Sequence, residues 1–177
     1  MVKTPLCVFD IKSGIFCAKC EEKIRSGEVT DLDVKIARLL MDLEGKFPVL
    51  QDVTFHKAVE AAGVLAIVVD HEDVQRMLSH GGKIIRAISD DFKRKVRVLE
   101  VKGDLRSFLE DLFFPASIVS INTIWVPDGS TEIRVVLSGK ERSLPIDVKS
   151  VKKLAQRVRG ITLRVDFERP PTRRLKA

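Results

Sequence analysis

The apolar residues of this chain pass through the same succession of helical and strand-like spacings twice. The first succession, residues 31–101, holds an amphipathic helix, an alternating strand, the β-branched run Val64 to Val69, a short helix, a glycine-rich turn, a helix and a strand. The second, residues 104–168, lacks the short helix and the Gly-Gly turn. The sequence therefore predicts an α+β fold of two similar units in the order helix-strand-strand-helix-helix-strand, the second one degenerate.

Local signals place the boundaries of these elements. Thr30 followed by Asp33 is typical of a capping box and predicts a helix over residues 31–45. Asp104 and Asp147 are expected to begin the two helices of the second succession. We expect four regions: a Cys-rich segment over residues 1–29, a first unit over 30–102, a second over 103–168, and a disordered basic tail over 169–177.

The net charge of +6 is distributed unevenly along the chain. Residues 1–80 carry ten basic and thirteen acidic side chains, a net charge of −3, whereas residues 81–177 carry twenty-one and twelve, a net charge of +9. A concentrated positive field attracts polyanions, of which nucleic acids are the commonest in a cell. Proteins that bind no polyanion can have the same excess, so the charge alone leaves the partner open.

All three cysteines lie within the first twenty residues, which argues against a disulfide framework. Two pairs of possible ligands, each three residues apart, are separated by a six-residue loop: Cys7 with Asp10, and Cys17 with Cys20. This spacing predicts a small knuckle that holds structural zinc, with sulfur ligands at ~2.3 Å and Asp10 where a fourth cysteine would stand. A segment this short has almost no hydrophobic core, so it needs a cross-link such as a bound metal ion to stay ordered. The alternative is a degenerate knuckle whose cysteines are reducible surface thiols.

The turn at Gly81 and Gly82 leads directly into a helix. Such an entrance presents free backbone N–H groups and the positive end of the helix dipole, which together favour a phosphate. His80, Lys83 and Arg86 surround this point with positive or chargeable groups. We expect a phosphodiester to lie there, with a base against an apolar wall of Ile84, Ile85 and Val69. The alternative is a turn that uses glycine for its backbone conformation and binds nothing.

A resemblance rests on this segment. Leu78-Ser-His-Gly-Gly-Lys-Ile-Ile85 resembles the I-G-x-x-G-x-x-I signature of KH domains, and the elements before it resemble the type II arrangement of prokaryotic KH proteins. Two such units joined by the stretch from Gly103 to Ala116 resemble the paired KH region of the NusA transcription elongation and termination factors. The N-terminal cysteines make the archaeal NusA-like proteins the most similar group. The resemblance covers about residues 5–168.

The resemblance implies a protein that binds single-stranded RNA during transcription elongation or termination. It implies an RNA grip formed by Ser79, His80, Gly81, Gly82 and Lys83, in which Ser79 takes the place of the first glycine of the family's loop. At the equivalent place the second unit has residues 138–146, with no Gly-Gly pair, so it resembles a degenerate KH unit. The cysteine motif of the relatives has four cysteines, and Asp10 replaces one of them.

Two further basic groups could contact RNA phosphates. Lys93, Arg94 and Lys95 follow the helix after the Gly-Gly turn. Lys149, Lys152 and Lys153 recur at helical spacing on the face opposite the apolar residues of the matching helix in the second unit. A solvated helix face has the same pattern, so both interpretations stay open.

Other function classes find little support in the sequence. The three histidines are scattered, and no nucleophile-base spacing, phosphate-binding loop or nucleotide fingerprint is present, so we expect no enzyme and no small-molecule substrate. The first residues lack a signal peptide, and the longest uncharged run is too short to span a membrane, so we expect a cytoplasmic protein. A second hypothesis is an interaction module that docks to RNA polymerase or a ribosome-assembly particle.

Overall fold

The structure, a computed structural model, describes residues 1–168 and has the α+β fold expected from the sequence. The elements up to residue 100 are α1 Val8–Ser13, α2 Ala18–Arg25, α3 Asp31–Glu44, β1 Phe55–Ala61, β2 Val64–Val69, α4 His71–Leu78, α5 Lys83–Phe92 and β3 Lys95–Glu100. After them come α6 Leu105–Phe113, β4 Ile118–Trp125, β5 Thr131–Leu137, α7 Val148–Arg159 and β6 Thr162–Phe167. The predicted tail over residues 169–177 lies outside the described residues.

The two halves of the described chain contain three-stranded sheets of identical topology. In the first, β1 pairs antiparallel with β2, and β2 pairs parallel with β3. In the second, β4 pairs antiparallel with β5, and β5 pairs parallel with β6. The second half has only a short 3₁₀ turn, Glu141–Ser143, where the first has α4. The predicted repetition, and its loss of one helix in the second copy, is confirmed.

Strand β2 is the centre of the first sheet because its sequence is apolar without interruption. All six residues are buried, as expected for a strand covered on both faces. On one face Leu65, Ile67 and Val69 join a core to which α3, α4 and α5 contribute Ile36, Leu40, Val74, Met77, Ile84 and Ile88. Burial of this apolar surface is the main stabilising contribution to the unit.

The N-terminal segment is part of this core. Val2, Leu6, Ile11, Cys20 and Val29 are buried in the same hydrophobic cluster as β2 and α3. The expectation that residues 1–29 have almost no core is therefore wrong, because the segment packs against its neighbour instead of forming a core alone. The first half of the expected loop between the two ligand pairs is helical, since α1 runs to Ser13 and ends at Gly14 in a left-handed conformation.

Backbone contacts divide the chain into compact units at a later point than the sequence indicated. The first runs from Met1 to Leu112 and the second begins at Phe113. Most of α6 therefore groups with the first unit, although the sequence placed its start at the beginning of the second. Within residues 1–168, no helix is long and apolar enough to cross a membrane.

Asp33 joins α3 to the outer edge of the first sheet. Its carboxylate accepts hydrogen bonds from the backbone N–H and hydroxyl of Thr30, both at 2.7 Å, and Thr30 in turn caps the N–H of Asp33. The other carboxylate oxygen accepts the N–H of Ala58 in β1. The capping box is confirmed. The bond to Ala58 gives this buried carboxylate a second role, because it satisfies a donor on an edge strand.

Replacing Asp33 with alanine should therefore destabilise the first unit by about 2–4 kcal/mol, since it removes a helix cap and leaves the buried Ala58 N–H without an acceptor. Asp31→Ala, in the same turn but exposed, is the control and should cost less than about 1 kcal/mol. Urea unfolding followed by circular dichroism measures both. Equal effects of the two substitutions would contradict the proposed link between α3 and β1.

Candidate nucleic-acid loop and metal cluster

The turn between α4 and α5 is built from three successive residues in the left-handed region. After Ser79, His80 has φ of 57°, Gly81 of 63° and Gly82 of 74°. Non-glycine residues seldom adopt this conformation, whereas glycine does so at little cost. A Cβ atom at Gly81 or Gly82 would meet nothing within 4 Å. Glycine is thus required here by backbone conformation, and the space above both residues is open.

Ser79 and Phe47 position the ring of His80. The hydroxyl of Ser79 donates to the carbonyl of Arg76 at 2.6 Å, and its oxygen lies 2.8 Å from His80 Nδ1. Because the single hydroxyl hydrogen is used on Arg76, Nδ1 must donate to Ser79 Oγ, and His80 Nε2 is left for another partner. Phe47 contacts the His80 ring edge-on, with centroids 5.6 Å apart. The sequence did not indicate this role for Phe47.

The start of α5 has no side-chain cap. Its N-cap residue is Gly82, which has no side chain to accept the first N–H groups of the helix. Lys83 and Arg86 are exposed beside this entrance. Neither forms an ion pair with a described residue. The predicted loop residues are therefore brought together around an open helix start without a side-chain cap, beside two accessible cations. The N–H groups of Gly82 and Lys83 are not free as expected, because they donate to the carbonyls of Ser79 and His80.

The expected apolar wall for a base is wrong in two of its three residues. Ile84 and Val69 are fully buried in the core of the first unit, where no ligand can reach them. Only Ile85, which is half-buried, keeps an accessible surface near the loop. Ile84 and its neighbour on the same helix face, Ile88, are buried in the core of the first unit.

The predicted basic groups lie on the surface of both units. Arg94 donates from Nε to Glu60 Oε1 at 2.8 Å and from Nη1 to the Lys93 carbonyl, so an internal partner already holds it. Lys93 and Lys95 are exposed at the end of α5 and the start of β3. In the second unit Lys149, Lys152 and Lys153 are exposed on α7, and the opposite face buries Val151, Leu154 and Ala155. The predicted orientation of α7 is confirmed.

The four predicted metal ligands lie together. One ligand atom from each of Cys7, Asp10, Cys17 and Cys20 lies within 4.8 Å of the other three. In a tetrahedral site with bonds of ~2.3 Å, ligand atoms stand about 3.8 Å apart, so small side-chain adjustments suffice to hold one ion. Three sulfurs and a carboxylate oxygen form a donor set that suits zinc or a similar borderline metal. The cluster has metal-binding geometry.

Hydrogen bonds arrange the cluster. The backbone N–H of Cys17 donates to Asp10 Oδ2 at 3.0 Å, and that of Cys7 donates to Cys20 Sγ at 3.4 Å. Hydrogen bonds from Cys20 and Cys17 hold the pKa of Asp10 below its usual value. Burial, with a contribution from Asp10, raises the pKa of the Cys20 thiol to about 12. Arg38 of α3 donates twice to the carbonyl of Ile11, at 3.1 and 2.9 Å, and so ties α1 to α3.

A second titratable cluster was not predicted. Glu100, at the end of β3, is fully buried, and its Oε2 lies 2.5 Å from Nδ1 of His71 in α4. Gly103 leaves room for this carboxylate, because a Cβ there would overlap it. The half-buried Asp111 in α6 has its pKa raised to about 6, mainly by burial and then by the charge of Glu100. The three residues come from three elements, so no sequence spacing could have shown them together.

No protein-family model matches the chain, and no curated protein matches it. A solved structure described as the crystal structure of APE1850 aligns with 75% of this chain and 96% of its own length, at 18% sequence identity and a TM-score of 0.49.

The cluster of His71, Glu100 and Asp111 makes the free energy of unfolding depend on pH, and the direction of each effect follows from the pKa shifts. Since the pKa of Asp111 is raised, the folded chain keeps a proton between about pH 4 and 6 that the unfolded chain has lost, and stability falls as pH rises through this window. The hydrogen bond to Glu100 raises the pKa of His71, so its contribution is complete below about pH 6.5 and is lost as pH rises through its folded pKa.

Asp111→Asn is therefore expected to flatten the fall of stability between pH 4 and 6. At pH 7.5 it should stabilise the protein by about 1 kcal/mol, a value reduced for solvent screening of a half-exposed group. Thermal unfolding over a pH series measures both effects, with Asp91→Asn, at an exposed position, as control. A variant that is less stable than the natural chain at pH 7.5 would refute the cost assigned to the half-buried Asp111 charge beside Glu100.

Proposed function

We propose that this protein is a non-enzymatic single-stranded RNA-binding protein whose first unit grips the RNA backbone at the turn between α4 and α5. The observation that carries the proposal is the open, uncapped start of α5, reached through three successive left-handed residues and flanked by Lys83 and Arg86. Helix starts of this kind favour phosphate, because their N–H groups and the helix dipole both point at the anion.

Each residue of the turn has a physical role in this proposal. Gly81 and Gly82 let the RNA backbone approach closely, since no Cβ occupies the space above them. His80, whose Nδ1 donates to Ser79, can donate from Nε2 to a phosphate oxygen in its imidazolium form. Lys83 and Arg86 contribute charge. A base would then have only Ile85 as an apolar neighbour from the predicted wall, which favours recognition of the backbone over recognition of base identity.

The other basic groups would add salt-dependent affinity. Lys93, Lys95, Lys149, Lys152 and Lys153 are exposed and suit phosphate contacts. Arg94 would contribute less, because its ion pair with Glu60 would have to break or be shared. The second unit lacks the helix and the glycine pair that form the turn in the first, so we assign it a supporting electrostatic role.

We further propose that the protein acts in transcription elongation or termination. The resemblance of residues 78–85 and of the paired units to NusA-like proteins supports this role, with RNA polymerase or a ribosome-assembly particle as protein partner. The metal that we propose for Cys7, Asp10, Cys17 and Cys20 is zinc, held structurally, because four protein ligands leave no position for a substrate.

A protein-docking role is the second candidate function. Phe9 and Ile15 of the N-terminal segment are 73% and 72% exposed, which is unusual for large apolar side chains. An open groove of about 440 Å³ nearby is lined by Phe16, Ile24 and Val34. These features favour a contact with another protein.

The double variant His80→Asp and Lys83→Asp tests the RNA site. Aspartate tolerates the left-handed backbone at position 80, so the fold should be retained while the phosphates are repelled. We expect the affinity for a short single-stranded RNA at low salt to fall at least about tenfold. Fluorescence anisotropy with a labelled oligonucleotide measures it.

The matched control is Lys35→Asp with Asn122→Asp, which makes the same change in net charge at two exposed positions outside the basic groups. It should weaken binding by less than about threefold, since it alters only the overall field. Unchanged binding in the His80 and Lys83 variant would reject this turn as the site and favour the docking role. Equal losses of RNA affinity in both double variants would show that binding depends only on the net charge of the protein.

Zinc content tests the metal assignment separately. We expect about one equivalent of zinc in protein purified without chelator, because structural sites hold the ion tightly. The double variant Cys7→Ser and Cys17→Ser, at two exposed positions, should retain less than about a tenth as much. Elemental analysis of the intact protein measures both. Less than about half an equivalent in the natural chain would favour a degenerate knuckle.

A further inference from the structure

The thiols of Cys17 and Cys20 occupy the first turn of α2. Cys17 is the N-cap residue and is exposed, whereas Cys20, three residues later, is 3% exposed. Residues three apart on a helix lie on the same face, and the two sulfurs belong to the cluster whose ligand atoms lie within 4.8 Å of one another. A C-x-x-C pair at a helix start is an arrangement in which thiols and disulfides interconvert in other folds.

Apolar packing and hydrogen bonds also hold this segment, beside any bound ion. Ile11 is fully buried and Leu6 and Val29 nearly so, all within the core of the first unit. Arg38 and the Asp10–Cys17 hydrogen bond hold the chain around the cluster through protein atoms alone. We expect these contacts to keep the segment folded, with its thiols adjacent, when an ion is lost.

We propose that Cys17 and Cys20 form a peroxide-responsive thiol switch, in which oxidation to a Cys17–Cys20 disulfide expels the metal and reduction restores the site. Of this pair Cys17 reacts first, because it is an exposed residue and Cys20 is buried. Cys20 resolves the oxidised Cys17 from the same helix turn. The disulfide half of this switch needs neither the proposed RNA site nor a bound metal. Only the release of metal rests on the proposed zinc site.

The chemistry balances with hydrogen peroxide as oxidant. The Cys17 sulfur attacks one peroxide oxygen, the O–O bond breaks, and the departing hydroxide takes the thiol proton to become water, leaving a sulfenic acid. The Cys20 sulfur then attacks the Cys17 sulfur, the S–O bond breaks, and the second hydroxide leaves as water with the Cys20 proton. Two thiols are oxidised by two electrons, and one peroxide is reduced to two waters.

Formation of the disulfide would remove two of the four metal ligands. Cys7 and Asp10 remain, and one thiolate with one carboxylate cannot complete a tetrahedral site. Metal binding and the disulfide are thus mutually exclusive states of one folded segment. A thiol reductant returns both sulfurs to ligand form.

The test treats the reduced full-length protein with hydrogen peroxide and follows its intact mass. We expect a loss of about 2 Da, one thiol remaining open to alkylation by N-ethylmaleimide, and a peptide that links Cys17 to Cys20. Protein loaded with zinc should release the ion to a chromophoric chelator in step with the disulfide and rebind it after reduction.

Two exposed-site variants decide which thiols act. Cys7→Ser should retain the loss of 2 Da, and Cys17→Ser should reduce disulfide formation at least about tenfold. Loss of the disulfide in Cys7→Ser, or uptake of oxygen by the natural chain without a disulfide, would overturn the switch. A disulfide that forms in a protein with no affinity for zinc would support the thiol pair and reject the proposed metal site, so the two failures are distinguishable.

Discussion

The parallel pairing of β2 with β3 is the constraint from which the candidate RNA site follows. Parallel neighbours cannot be joined by a tight hairpin, so the chain must cross over one face of the sheet to return in the same direction. Here the crossover consists of α4, the turn and α5, and both helices bury apolar residues in the core that β2 also enters. Two helices joined by so short a turn need left-handed backbone at His80, Gly81 and Gly82. The open start of α5 is a consequence of that geometry.

The second unit has the same pairing but makes the crossover differently. Between β5 and β6 the chain uses one 3₁₀ turn and α7, without a counterpart of α4. One helix suffices to return the chain, so no helix-to-helix turn arises and no uncapped entrance with a glycine pair is formed. Asp147 instead caps α7 by accepting the N–H of Ser150 at 2.8 Å. Repetition of a topology therefore does not repeat the site, because the site belongs to the connection and not to the sheet.

In the N-terminal segment, packing against the first unit changes the role of the candidate metal ligands. Considered alone, residues 1–29 have too few apolar residues for a core, and a metal would be needed to order them. In the structure five of these residues enter the core of the first unit, so order comes from α3 and β2. Because the cluster does not have to order the segment by itself, its ligands can change without unfolding the segment. The proposed thiol switch depends on this property.

Local patterns in the sequence were sufficient to predict the helices and strands. They also predicted the residues whose partners lie a few positions away in the chain. The β-branched run predicted β2 with its bounds, the Thr30–Asp33 spacing predicted the cap of α3, and the cysteine spacing brought together all four cluster residues. Each of these features depends on atoms a few residues apart, or on one continuous apolar surface.

Only the tertiary structure decided which side chains are accessible and which distant groups meet. Ile84 and Val69 were expected to contact a base and are core residues, while Arg94 was expected to contact RNA phosphates and forms an ion pair with Glu60. The contacts of Asp33 with Ala58, and of His71 with Glu100, join elements far apart in the chain. Periodicity reveals that a residue has an apolar side to bury, but what covers that side, and what a buried charge pairs with, depends on how the elements pack.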